Sequence, residues 1–481
     1  MLFNSLSFAI FFPIVFIVYW ALNKKNYKWQ NLLLLVASYY FYSCWDWRFV
    51  FLLAFSTALD YYSGIKIHEA ENKARKKFWL ILSVGLNLGF LGFFKYYNFF
   101  IDSFAELLLS IGFQPHFTTL NIILPVGISF YTFHGLSYVF DIYNDKIKPT
   151  RNVIDYTLFV SFFPLLVAGP IERATHLLPQ IQRARKFTYE RATDGMRQIL
   201  WGLFKKMVIA DNSAIYANQI FANYETASGS ELFLGAIFFT FQIYGDFSGY
   251  SDIALGTARM LGFDLLKNFN FPYFSRDIAE FWRRWHISLS SWFKDYLYIP
   301  LGGSKGGNWM RIRNTFIIFL VSGFWHGANW TFIVWGGLNA LFILPSIIMK
   351  TNRNNMDIVA KGRVFPSMKE ALQILITFNL AVFAWIFFRA ESVSHAFGYI
   401  KNMFSGSLLH FPDLNKAALA TLILIGFMVV VEWLGRENNY GIEKAFFRAN
   451  RFLRWSFYGF IILLIGLFMQ TQESPFIYFQ F

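Results

Sequence analysis

An all-α, polytopic membrane fold is what this sequence predicts, on three observations. Of its 481 residues, 56% are hydrophobic and only 15% charged, where a soluble domain carries about 25% charge. Apolar runs of the roughly 17–25 residues needed to cross a hydrocarbon core recur along the whole chain. Basic residues fall in alternate connecting loops, as cytoplasmic loops do. About 11–13 transmembrane helices are expected, some of the runs being short, re-entrant or paired.

In order, the runs are 5–22, 31–44, 49–65, 78–94, 99–113, 122–142, 153–170, 197–221, 231–256, 314–334, 335–349, 371–388, 416–433 and 455–470. The first lacks a basic leader and a small-residue cleavage site, so it reads as a retained helix rather than a signal peptide. Basic residues cluster at Lys24 to Lys28, Lys66 to Lys77, Arg173 to Arg197, Arg259 to Arg313, Lys350 to Lys369 and Arg436 to Arg454. With those loops inside, both chain ends are extracytoplasmic. The net charge of +14 is then explained by topology, with the lipid bilayer rather than nucleic acid as the partner. The one cysteine, Cys44, leaves no intramolecular disulfide and speaks against a cysteine metal site.

Residues 1–470 form a single transmembrane domain in this reading, broken only by the basic, aromatic stretch 257–313, which packs on the cytoplasmic side. Within it, FWRRWHISLSSWFKDYL (Phe281 to Leu297) has helical periodicity, with Trp282, Trp285, Leu289, Trp292, Phe293 and Tyr296 on one stripe. An interfacial amphipathic helix would look like this. His286 falls on the stripe and points inward with the aromatics.

Of eight histidines, His68, His116, His176, His395 and His410 sit in loops or flank helices. His134 is deeper, and His326, in SGFWHGANW, is the outlier. An intramembrane ionisable group is expensive enough to suggest function. On one helix, Ser322, His326 and Asn329 would share a face and orient the imidazole; the alternative is a structural histidine bonding between helices. A histidine near its ordinary pKa of about 6.5 can take a proton from a hydroxyl, which suits acyl transfer to an alcohol. No second ligand sits at metal spacing, so no metal is expected.

YGDFSGYSDIALG (Tyr244 to Gly256) brings Asp246, Ser248, Ser251 and Asp252 to the end of an apolar run, either as a cytoplasmic helix end or as the polar wall of a channel. Such groups also suit a proton-coupled transporter, but no paired broken helices mark an inverted repeat. The tail 471–481 ends in FIYFQF. It either packs at the outer interface or inserts Tyr478 into the bundle.

FWRRWHISLSSWFKDYLYIPLGG, SGFWHGANW, YGDFSGYSDIALG, LPVGISFYTF (Leu124 to Phe133) and VAGPIER (Val167 to Arg173) together resemble the membrane-bound O-acyltransferase family. The resemblance is to its bacterial polysaccharide branch, which holds the alginate and peptidoglycan O-acetylation membrane proteins and the teichoic-acid D-alanylation protein. It implies a ring of helices, with short horizontal or re-entrant ones, around a central tunnel. The family's buried histidine matches His326, and the branch's other histidine matches His286; Trp325, Ser322, Asn329 and Asp246 become orienting or tunnel-lining candidates. The fused FIYFQF tail is similar to the branch's aromatic-tyrosine motif and makes Tyr478 a candidate acyl carrier.

The resemblance further implies acyl transfer from a cytoplasmic thioester, acetyl-CoA or another acyl thioester, used as donor substrate with no bound cofactor. The acyl group would cross the inner membrane to an extracytoplasmic acetyltransferase- or esterase-like partner for O-acetylation of an envelope or secreted polysaccharide. Alternatives are D-alanyl transfer to a teichoic-acid-like polymer and a transporter or export scaffold.

Overall fold

The computed structural model describes residues 1–22, 26–114, 120, 122–445, 450–470 and 476–477, and among these no strand occurs. The chain divides into two compact units, the first holding Leu6–Thr188 with Leu261–Leu265, the second holding Leu2–Ser5, Tyr189–Met260 and Leu266–Phe481.

The first unit contains α1 (Leu6–Ala21), α2 (Tyr27–Ser43), α3 (Arg48–Glu69), α4 (Lys73–Leu91), α5 (Tyr97–Ser110), α6 (Ile128–Tyr143), α7 (Val153–Ser161), α8 (Phe163–Leu166) and α9 (Ala174–Ile181). Asparagine opens many helices: Asn26, Asn72 and Asn152 each accept a first-turn N–H, worth about 1 kcal/mol apiece. The predicted break between 78–94 and 99–113 is absent. A π turn at Gly92–Tyr96 carries α4 into α5 as one helical run of 38 residues, because in lipid the backbone has no other hydrogen-bond partners than its own.

Helix α6 is buried nearly all round, only Phe140 and Tyr143 falling outside its buried set. His134 is buried there against Phe159. Two buried polar clusters are paired, as a membrane interior favours. Asp60 accepts from Ser83 Oγ at 2.6 Å and Asn87 Nδ2 at 2.8 Å, and Arg185 donates to Asn31 Oδ1 at 2.7 Å and the Tyr19 hydroxyl at 2.9 Å.

The second unit contains α10 (Tyr189–Leu203), α11 (Asp211–Ala222), α12 (Gly229–Met260), α13 (Ile278–Arg284), α14 (Ile287–Phe293), α15 (Gly307–His326), α16 (Trp330–Ile348), α17 (Met368–Arg389), α18 (Val393–Met403), α19 (Lys416–Gly435) and α20 (Arg451–Phe468). A π turn, Phe204–Ala210, joins α10 to α11. Helices α16, α17, α19 and α20 are long and apolar enough to cross a membrane, as is the α4–α5 run. Helix α12 has 32 residues, about 48 Å of rise, and is the unit's buried spine. It lies against α10 without side chains between them at one crossing: a Cβ on Gly202 would come 2.6 Å from the Gly249 carbonyl oxygen, and one on Gly249 2.7 Å from that of Gly202. Small residues permit this approach.

Candidate active site

All contacts of the site lie within the second unit. The α15–α16 hairpin supplies His326. The predicted runs 314–334 and 335–349 place the helix break after residue 334, but α15 stops at His326, Gly327 is extended, and Asn329 caps α16 by accepting the Thr331 N–H at 3.0 Å. Gly-Ala-Asn outweighs the apolar pattern because any side chain at 327 would strike the Phe332 ring.

This corrects the shared face read for Ser322, His326 and Asn329. Ser322 lies one turn before His326 on α15, both buried. Asn329 has left that helix and donates its Nδ2 to the Glu391 carbonyl at 2.9 Å. The imidazole of His326 packs instead among rings: Trp325 at 4.9 Å, Trp335 at 5.1 Å and Phe388 of α17 at 5.4 Å between centroids.

The single amphipathic helix read over Phe281 to Leu297 is likewise two short helices and a π turn, Lys294–Tyr298. The break falls at His286, whose backbone is left-handed at φ 44°, ψ 53°. An L-residue there costs about 1–2 kcal/mol and is held only by its surroundings. Those are the Asn268–Asn270 segment: Ile287 N–H donates to the Asn268 carbonyl and Asn270 N–H to that of Arg284, both at 2.9 Å. Periodicity does not reveal such a turn, since the aromatic stripe runs straight through it.

The turn aims a fully buried imidazole at the centre of the unit. His286 lies 4.6 Å from Phe247, 6.0 Å from Trp325 and 6.5 Å from His326, and neither of its ring nitrogens meets a hydrogen-bond partner among the described residues. Arginines of the same stretch are committed to structure. Arg276 and Arg284 both bind the buried Glu280 carboxylate, and Arg283 donates to the Asn352 and Asn355 carbonyls. Arg276 also holds the exposed Asp357 carboxyl below its ordinary range, chiefly by a direct hydrogen bond.

The tail reaches this place. Phe476 and Ile477 are buried at 1% and 2% exposure. Phe476 packs on Phe247 at 5.7 Å and Tyr250 at 4.9 Å, and the Ile477 N–H donates to Asp246 Oδ2 at 2.7 Å. Phe247 thus touches both the tail and His286. Tyr478 lies outside the described residues. A cavity of about 370 Å³ is lined by Gln242, Asn329, Phe332, Phe388, Arg389 and Ile477 among others, so it shares Phe388 with His326. A larger one, about 520 Å³, is walled by Arg276, Asn355, Arg363 and Glu370 and includes neither histidine.

Asp246 and Asp252 are not a helix end. They sit in mid-α12, paired with two consecutive buried lysines, Lys206 to Asp246 at 2.8 Å and Lys205 to Asp252 at 2.6 Å. Lys206 also meets Asp211 at 2.8 Å, and Tyr244 donates to Glu432 at 2.7 Å, 3.8 Å from Lys205. Lys205, Lys206, Asp211 and Glu432 went unnoticed in the sequence. Charges inside the apolar runs 197–221 and 416–433 were the available signal, since intramembrane ions come with partners.

Two imidazoles with ring centroids 6.5 Å apart, walled by aromatics, can take and return a proton and hydrogen-bond a carbonyl, the needs of acyl transfer. Comparison with known proteins agrees. The model of the family "membrane-bound O-acyltransferase" matches residues 145–389, which include both histidines. A probable alginate O-acetylase of Pseudomonas aeruginosa is 41% identical over 431 residues, 89% of this chain and 80% of its own. One from Pseudomonas putida is 37% identical over the full length of both chains. A peptidoglycan O-acetyltransferase of Helicobacter pylori is 37% identical over 87% of this chain and 82% of its own. The chain belongs to the membrane-bound O-acyltransferase family and is a multi-pass membrane O-acyltransferase.

Proposed function

We propose that this enzyme takes an acetyl group from a cytoplasmic thioester, acetyl-CoA, and passes it through Tyr478 to an extracytoplasmic acetyltransferase- or esterase-like partner that O-acetylates an envelope or secreted polysaccharide. The observation that carries this is a chain of ring contacts: Phe247 touches both His286 and Phe476, and His286 in turn faces His326 at 6.5 Å. Residue 478 follows Ile477 at one Cα step of about 3.8 Å. The polysaccharide acceptors named for the Pseudomonas and Helicobacter relatives point the same way.

In the first step the Tyr478 hydroxyl attacks the thioester carbonyl while His326 takes its proton; the C–O bond forms, the C–S bond breaks, and the thiolate leaves with the proton returned by His326. His286 donates a hydrogen bond to the acyl oxygen. In the second, an acceptor hydroxyl attacks the aryl ester and the phenol leaves. With a phenolic pKa of about 10 the tyrosine is a far better leaving group than a sugar alkoxide, so the transfer runs downhill. Ser322, Trp325 and Asn329 shape the chamber, and the aromatic walls exclude water that would hydrolyse the ester. The alternation of basic loops supports an inner-membrane location with both ends outside.

The test is the O-acetyl content of the cell's envelope and secreted polysaccharides in a strain carrying His326→Ala at wild-type protein level. The proposal expects loss of the ester; full acetylation refutes it.

A further inference from the structure

We propose that Asp246, held in place by Lys206, is a clamp that sets the register of the C-terminal tail in the active site. This rests on the reading of the tail as acyl carrier and adds the residues that position it. A segment seated by side chains alone can slide, and one residue of slip moves every side chain by about 2.0–3.3 Å along the chain. That is enough to take a carrier hydroxyl out of reach of a base, which needs about 2.6–3.2 Å. Side-chain packing alone does not prevent such slippage here, because the tail repeats aromatic and aliphatic residues: Phe476, Ile477, Tyr478, Phe479, Phe481.

A buried backbone hydrogen bond adds a fixed point that must break before the segment can move. The Ile477 N–H donates to Asp246 Oδ2 at 2.7 Å while Asp246 Oδ1 faces Lys206 Nζ at 2.8 Å, so the two carboxylate oxygens are divided between tail and cation. Lys206 is itself held by Asp211 at 2.8 Å. The π turn Phe204–Ala210 buries Lys205 and Lys206 together, each serving a different carboxylate of α12; π turns recur at functional sites. Residues 242, 246 and 250 are one helical turn apart on α12. Gln242 and Ile477 line the same cavity, Asp246 takes the Ile477 amide, and Tyr250 packs on Phe476. A single face of α12 therefore receives the tail, and its one charge lies at the tail's backbone. Asp246 is a positioning residue, acting on the reaction through residue 478.

The test is amide hydrogen exchange of the full-length protein in lipid nanodiscs, read in the C-terminal peptide covering Ile477, alongside the rate of acetyl-CoA-dependent acylation of Tyr478. Asp246→Ala is expected to raise exchange at Ile477 by about 10- to 100-fold, the weight of one charge-assisted hydrogen bond, with amides of Gly229–Met260 within twofold of wild type. Asp246→Asn keeps an acceptor and leaves Lys206 its Asp211 partner, so a smaller rise confined to the tail is expected. If alanine prevents membrane insertion, that variant alone decides. Unchanged exchange at Ile477, or a rise spread equally through α12, overturns the clamp. A freed tail with Tyr478 still acylated at the wild-type rate overturns the clamp and leaves the carrier reading standing, whereas a freed tail in the variant with no acylation of Tyr478 even in wild type supports the anchor and refutes the carrier reading.

Discussion

Gly323→Ala adds one methyl group and is predicted to cost most of the activity. The Cβ at 323 would overlap the carbonyl oxygen of Phe332, a backbone atom with no rotamer to escape into. Restoring the ~3.5 Å that non-bonded atoms need moves α15 and α16 apart by roughly 1 Å. His326 lies three residues on, and its imidazole is gripped by Trp335 of the opposing helix at 5.1 Å. A 1 Å misplacement of a reacting group costs about 10²-fold, and overpacking costs about 1–3 kcal/mol of stability. The assay compares kcat for acyl transfer, at matched expression and folded fraction, with Gly337→Ala. That glycine's added Cβ would meet only Leu320 Cδ2 at 3.9 Å, so it should behave as wild type. If Gly323→Ala stays within threefold of wild type, the hairpin crossing does not set the position of His326.

His286→Asn keeps a residue that tolerates the left-handed turn and removes the imidazole. Its thermal midpoint should match wild type while acyl transfer falls at least tenfold, and an active variant removes His286 from the chemistry. Lys205→Met leaves the half-buried Asp252 and the buried Glu432 without their cation and should destabilise by about 3–5 kcal/mol; adding Glu432→Gln should recover part of that, which thermal unfolding in detergent measures. The Glu172 carboxylate, 2.8 Å from His176 Nδ1, raises the pKa of this histidine, mainly through the hydrogen bond between them. Its contribution to stability is thus fully present below the ordinary value of about 6.5 and lost as pH rises through the raised folded value. His176→Gln should flatten the decline of the thermal midpoint between pH 6 and 9; an unchanged slope would deny the pair any role.

Composition and loop charge made the membrane class legible, and the quoted motifs led to both histidines. What they did not reveal is how the histidines come to face each other. His326 ends a helix because Gly327 and Asn329 stop it, and His286 stands in a left-handed turn inside a stripe of regular period. Both are tertiary outcomes: the turn is held by Asn268 and Asn270, some sixteen to eighteen residues away in sequence. The buried lysines escaped notice for a different reason. Hydropathy averaging hides two charges in a long apolar run, although a membrane interior makes each of them informative. Asp246 was noticed but read without its partners, and its contact with the tail spans 231 residues of sequence, beyond any local pattern.

The central claim is that the acyl group passes through the tail under the action of His326. Mass spectrometry of the purified protein and its C-terminal peptide after incubation with acetyl-CoA tests it most directly, in wild type, His326→Ala and Tyr478→Phe. One added acetyl group on Tyr478 in wild type, absent from both variants, is the predicted result. Polysaccharide acetylation that persists in cells carrying Tyr478→Phe, with no adduct on the wild-type tail, would contradict it.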